Sequence, residues 1–271
     1  ARTLRRLPVD GVPLSVLANR SLGDGHALDA GAPLASMVLH GAAALAGMEP
    51  PRTAEARRAV WAASGVLTGE VTLPVLTLGL PGLAGTALGR SLAIWGPIGE
   101  PVHLSARQLL REAPDWSPLF GRTVFLCENP TVVAEAANQL GRIARPLVCT
   151  STHPAAAATV LLRQLLAAGA RLAYHGDFDW PGITIANNVM PRFFARPWRY
   201  DATSYRRAVA GADASSPLLG RPVVATWDGE LSVAMREAGR KIEEERVIEE
   251  LLEDVAGSPT FDGRGSSSPV A

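Results

Sequence analysis

Between Arg122 and Met190 short apolar runs alternate with longer Ala- and Leu-rich segments, and nothing else in the chain restricts its fold as strongly. The runs are Arg122–Cys127, Pro146–Thr150 and Arg171–His175. Helical patterns follow them over Thr131–Leu140, Pro154–Ala168 and Pro181–Met190. Short apolar runs that take turns with helices of ten to fifteen residues predict βαβ units, and so a parallel sheet flanked by helices. The crossovers should be right-handed. Pro181 opens its helix at a position whose N–H would be unpaired anyway. Gly169 closes the preceding helix as a C-cap.

Acids stand just past two of these strands. Glu128 follows the first, and Asp177 and Asp179 follow the third. Open α/β sheets bind ligands outside the carboxyl ends of their strands. In extended backbone residues i and i+2 point the same way, so Asp177 and Asp179 present two carboxylates to one side. If the first and third strands are neighbours, Glu128 joins them. Three carboxylates a few ångströms apart resist joint ionisation without a cation. Hard oxygen donors suit Mg²⁺ or Mn²⁺. Such a site is fitted to phosphodiester chemistry. Gly176 permits close backbone approach, and Gly182 suits the tight strand-to-helix turn. A lone Asp-x-Asp also recurs in glycosyltransferases, phosphatases and solvated loops. The glutamate at the end of the first strand makes the pattern more specific.

Residues 1–32 are irregular, with helices predicted over Pro33–Ala46 and Thr53–Ser64, the latter capped by Thr53. Val71–Leu80 reads as an edge strand or two short ones because Pro74 interrupts it. Ser91–Trp95 reads as a strand, and Ser105 caps a helix through Arg111. Val223–Thr226 is a candidate last strand. A final helix over Asp228–Val255 is interrupted near Gly239. The expected domains are a mainly helical, winged-helix-like unit over 1–118, an α/β catalytic domain over 119–256, and a disordered tail over 257–271.

The 26 basic and 26 acidic residues cancel, so no global charge argues for nucleic acid. Arginines dominate the middle of the chain, which leaves room for a local basic patch. Lys241 is the sole lysine and reads as the codon bias of a GC-rich genome. Cys127 and Cys149 read as small buried thiols; without a C-x-x-C there is no case for structural zinc. No segment looks able to span a bilayer, so the expectation is a cytoplasmic protein without membrane contact. The chain opens at Ala1 without Met, as a fragment of a longer polypeptide would.

The order strand, Glu128, helix, strand, helix, strand, Asp177-x-Asp179 resembles the Toprim domain, the metal-dependent catalytic unit of topoisomerases, primases and some nucleases. Two motifs narrow this. Cys127-Glu128-Asn129-Pro130 and Gly176-Asp177-Phe178-Asp179-Trp180-Pro181-Gly182, with a late Glu243-Glu244-Glu245 run, resemble the D-subunit family (JetD, type II-like branch) of the Wadjet anti-plasmid system. Stretches in the first thirty residues, His26-Ala27-Leu28-Asp29 among them, fit the same family. The resemblance implies a DNA endonuclease that acts with an SMC-like ATPase on double-stranded plasmid DNA. It also implies kinship with the A subunit of topoisomerase VI. Glu128 would then be metal ligand or general acid/base, and Asp177 and Asp179 metal ligands. The topoisomerase relatives cut with a tyrosine ahead of Toprim. The tyrosines here, Tyr174, Tyr200 and Tyr205, all lie within or after it, so hydrolysis by water is the expected chemistry. Expected partners are plasmid DNA, the SMC-like ATPase subunits and a second copy of the chain.

His175 could touch substrate, or pack at the strand end. His26 with Asp24 and Asp29 reads as a turn network. Glu244 and Glu245 could lend a carboxylate, although a solvated helix face is the simpler expectation. Ser151 and Thr152, followed by His153, could bind phosphate at a helix N-terminus. Arg192, Arg196, Arg199, Arg206 and Arg207, interleaved with Trp198 and Tyr200, form the DNA-contact candidate. A non-catalytic DNA-binding or scaffold subunit with a vestigial acidic site is the alternative from another class. A small-molecule phosphotransferase lacks its nucleotide loop.

Overall fold

The computed structural model describes residues 2–9, 12–68, 73–151, 154, 156–211 and 216–257. The expected tail from residue 258 onward, Thr152 and His153 lie outside the described residues. The chain forms two compact units, Ala1–Pro74 and Val75–Ala271.

The first unit is mainly helical: β1 (Val12–Pro13), α1 (Leu14–Leu22), α2 (Ala35–Leu45), α3 (Ala54–Ala63) and β2 (Val66–Leu67). Apolar residues at helical spacing on α1, α2 and α3 supply its core, with Leu17, Val38, Leu39, Val60 and Trp61 buried. Thr53 Oγ1 accepts from Ala56 N at 3.0 Å, as expected of the cap. The two short strands pair in parallel, so they do not make the antiparallel wing of a winged-helix unit. His26 forms the expected exposed turn network: its backbone N–H donates to Asp24 and its ring meets Asp29 at 2.8 Å.

The second unit contains β3 (Val75–Leu78), α4 (Ala87–Trp95), β4 (Val102–Leu104), α5 (Ala106–Arg111), β5 (Thr123–Cys127), α6 (Pro130–Gln139), β6 (Leu147–Cys149), α7 (Ala156–Ala167), β7 (Arg171–Tyr174), α8 (Trp180–Arg192), β8 (Arg196–Pro197), α9 (Ala202–Ala210), α10 (Gly229–Ala238) and α11 (Ile248–Val255). Its six-stranded sheet has the order β4-β3-β6-β5-β7-β8. β6, β5, β7 and β8 run parallel, and β3 is antiparallel to both its neighbours. The predicted βαβ alternation is therefore realised. Its central strands are buried along their length, as a sheet covered on both faces requires.

Some expectations are corrected. Residues 75–118, expected in the N-terminal domain, lie with the sheet, because β3 and β4 hydrogen-bond into it through β6. β3 is an interior strand; Pro74 sits just ahead of it, where proline removes no ladder bond. Ser91–Trp95 is the end of α4, not a strand. The helical period starts earlier, at Thr86, whose side chain caps Gly89 N, and buries Leu88 and Leu92 four residues apart. Ser105 and Gln108 form the full capping box on α5. Val223–Thr226 is no strand; Asn187 holds it from α8, donating to Val224 O and accepting from Thr226 N.

The final helix is interrupted near Gly239 as expected, but the chain beyond the break does not simply resume it. Gly239 takes the left-handed conformation, φ 61°, and ends α10. The chain then runs extended through Ile242 before a 3-10 turn at Glu244–Val247 leads into α11. A one-residue bridge joins Ile242 to Phe178, both almost fully buried. This break brings a second segment to the sheet edge where the acids stand.

Candidate active site

β5 and β7 are hydrogen-bonded neighbours, with Leu126 paired to Tyr174. Glu128 and Asp177 therefore leave the sheet from adjacent strands at the same edge. Glu128 is largely buried, and burial pushes its carboxyl up to about 8, with the charges of Asp177 and Asp179 adding to the rise. The Tyr174 hydroxyl donates to Glu128 Oε1 and opposes that rise. The carboxylate lies over Gly176, where a Cβ would stand 2.4 Å from Glu128 Oε1. Only glycine leaves the room that this approach uses.

Asp179 is the N-cap of α8 and accepts from Gly182 N at 2.7 Å. A Cβ at Gly182 would stand 2.2 Å from Asp177 O, so the strand-to-helix turn also depends on glycine there. Asp177 is held at both ends. Its carbonyl accepts from the Tyr200 hydroxyl at 2.6 Å, and its Oδ1 accepts from Glu244 N at 2.9 Å. Burial raises the Asp177 carboxyl, helped by the Asp179 charge, against the Glu244 N–H.

The broken final helix adds two groups to this edge. Phe178 and Ile242 pair across their bridge with side chains inward, so the residues on either side of each face the acids. Lys241 Nζ lies 3.1 Å from Asp179 Oδ2, 3.9 Å from Asp177 Oδ2 and 3.1 Å from Glu243 Oε1. Glu244 is fully buried, not on the solvated face expected of it. Its carboxylate accepts from Glu128 N at 3.0 Å and from Asn129 N at 2.5 Å. Burial drives its carboxyl well above the ordinary range despite those two donors. Glu245 is bonded to Asn129 Nδ2. Sequence reasoning thus undervalued Glu244 and read Lys241 as codon bias. The signals were available: a glycine inside a helical pattern, and one lysine against 25 arginines.

The donor set fits a hard divalent cation in kind. Carboxylates forced upward by burial and by one another are the groups that a cation returns to their ionised form. The shell is not preassembled: among the described residues no three acidic, histidine or cysteine side chains stand ready to hold one ion. The Lys241 ammonium is the cation that Asp177 and Asp179 now share.

The other candidates disperse. His175 is buried; its Nδ1 meets Trp198 O at 2.8 Å and its Nε2 has no partner. Burial lowers it to about 4, so it is neutral at pH 7. It packs among Phe178, Trp198 and Tyr200 as a strand-end core residue. Trp198 and Tyr200 are themselves core, which removes them from the DNA-contact candidate. Arg199 turns onto Asp254 and Glu253 of α11, with Nε 2.6 Å from Asp254 Oδ2. The Arg192 guanidinium lies over the Phe193 ring. Arg206 reaches Glu230 at 3.9 Å. Arg196 is exposed on the short edge strand β8. Ser151 is exposed just past β6, in the left-handed conformation. Cys127 and Cys149 are in register across β5 and β6, free and buried as expected.

A family described as "Protein of unknown function C-terminus (DUF2399)" matches residues 102–255, more than half of the chain. The chain belongs to this family. A second, described as "Protein of unknown function N-terminus (DUF3323)", matches residues 1–82. No curated protein matches. The DUF2399 match takes in β4 through α11, and so every acid at the sheet edge. No helix among the described residues is long and apolar enough to cross a membrane.

Proposed function

We propose that this DUF2399 protein is a Mg²⁺- or Mn²⁺-dependent DNA endonuclease subunit of Toprim type, the D subunit of a Wadjet-like plasmid-defence complex. The observation that carries the reading is the meeting of Glu128, Asp177, Asp179 and Glu244 at one edge of a parallel sheet, delivered by two adjacent strands and one returning segment. Four acids with a single ammonium among them are costly to hold for structural reasons alone. Such carboxylates mark functional sites.

Glu128, Asp177 and Asp179 would hold the ion, which when bound polarises the phosphodiester and steadies the charge of the attacking and leaving oxygens. The chain's own residues prepare that chemistry. Glu244 orients the turn after β5 by taking its two N–H groups, and fixes Asp177 through its own N–H. Tyr174 holds Glu128. Burial and the neighbouring acids push the Glu128 carboxyl up to about 8 without a cation, so a bound ion is what would keep it ionised as a ligand at neutral pH. The three tyrosines are fully buried. Their hydroxyls are spent on Glu128 Oε1, Asp177 O and Arg240 O, which favours water over a tyrosyl nucleophile within this chain.

The test is plasmid cleavage by the complex assembled with its SMC-like ATPase subunits. Asp177→Ala and Glu128→Ala should each lower cutting by at least about a hundredfold. Undiminished cutting by either variant sinks the assignment and favours the scaffold alternative.

A further inference from the structure

The chain's only lysine is placed by backbone, not by a loose side chain. Lys241 N donates to Ser216 O at 2.8 Å, and Arg240 on one side forms a bridge with Pro217. On the other side Ile242 is fully buried and exchanges both backbone hydrogen bonds with Phe178, the residue between the two aspartates. The ammonium is therefore delivered to Asp177 and Asp179 by the same pairing that shapes the acidic edge. In a chain that uses arginine at its 25 other basic positions, the compact charge stands here alone. Lysine offers a point charge with three rotatable donors on a flexible stem; arginine offers a rigid planar fork.

Asp177 and Asp179 cannot give the same oxygens to an ammonium at 3.1–3.9 Å and to a divalent ion, because two cations so close repel. The Lys241 side chain is about one quarter exposed, so it has solvent to move into. Of the acids it touches, only Glu243 lies on its own segment and would move with it. A phosphodiester arriving at this edge carries negative charge, and a freed ammonium beside the aspartates is a cation placed to meet it.

We propose that the Lys241 ammonium is an internal counter-ion of Asp177 and Asp179 that a divalent cation displaces, and that the displaced ammonium contacts the phosphate being cut. This rests on the nuclease reading above and adds to it a residue and an order of events. Lys241 holds the aspartate pair in the free protein, and is delivered to the substrate only when the cation has arrived. It makes Lys241 an opponent of metal binding and a supporter of cutting, two effects of opposite sign from one side chain.

The test uses the full chain with Lys241→Met, which keeps stem length and removes charge, and Lys241→Gln, which keeps a polar end. Mn²⁺ binding is measured by calorimetry, and plasmid cleavage with the assembled complex. Both variants should bind Mn²⁺ at least about tenfold more tightly than wild type, from the loss of one repelling charge. Both should cut about a hundredfold more slowly. Thermal unfolding identifies a variant that misfolds, and the other then decides. Unchanged or weaker Mn²⁺ binding overturns the counter-ion, and unchanged cutting overturns the phosphate contact. A wild type that binds Mn²⁺ and cuts, beside variants equal to it in both, removes Lys241 and leaves the nuclease reading standing. A wild type that does neither removes both.

Discussion

Glu244 offers the sharpest test of a hydrogen-bonding role at this edge. It is fully buried and accepts the N–H groups of Glu128 and Asn129. Glu244→Ala leaves both donors without a partner in a closed turn, at about 1–3 kcal/mol each. Part of that is returned, because the alanine variant no longer buries a carboxyl among Glu128 and Asp177, so a net loss of about 3 kcal/mol is expected. Glu244→Gln keeps an amide oxygen where Oε2 now accepts both N–H groups and replaces only Oε1, the longer acceptor of Glu128 N at 3.2 Å, so its loss should stay within about 1 kcal/mol. For a unit of this size each kcal/mol moves the melting temperature by about 2–4 °C, so Glu244→Ala should melt roughly 6–12 °C below wild type. The assay is thermal unfolding of both variants at pH 7 in chelator. An alanine variant that melts with the glutamine variant would refute the idea that Glu244 anchors the turn through its hydrogen bonds.

Other outcomes follow from the same geometry. The Glu128 carboxyl rises from 4.5 unfolded to about 8 folded, so folding takes up a proton. Its contribution to stability is complete below pH 4.5 and lost as pH rises through 8, at up to about 1.4 kcal/mol per pH unit. Glu128→Gln should flatten that limb in metal-free unfolding curves, and an unchanged limb would refute the assignment. Gly176→Ala would press on the movable Glu128 carboxylate instead of backbone. It should melt near wild type yet cut at least about tenfold more slowly, since small displacements of reacting groups are costly; full activity would show that the close approach is unused. His175, lowered to about 4 by burial, should show no titration by NMR between pH 7.5 and 5.5, and a midpoint near 6.5 would contradict its closed packing.

The central sheet was legible because its signals are local and periodic. Apolar runs over Val124–Cys127, Leu147–Cys149 and Leu172–Tyr174 can form little else when helices separate them. The acids at their ends followed from strand direction alone. What escaped was long-range pairing. That β3 and β4 join this sheet depends on contacts with β6, which no window around Val75 contains. The basic stretch was read by composition, and composition does not tell an exposed Trp198 from a buried one. For Glu244 and Lys241 the sequence marked a break near Gly239 but not where the chain goes after it. The left-handed Gly239 sends it back to the sheet edge. The alternating inward and outward pairing of Phe178 with Ile242 then set which residues met the aspartates.

The most direct measurement is a crystal structure of the full chain soaked in Mn²⁺. The account predicts Mn²⁺ bonded to carboxylate oxygens of Glu128, Asp177 and Asp179, with the Lys241 ammonium withdrawn from the two aspartates. A Mn²⁺-saturated crystal with no ion among these acids, and with Lys241 still bridging Asp177 and Asp179, would contradict it.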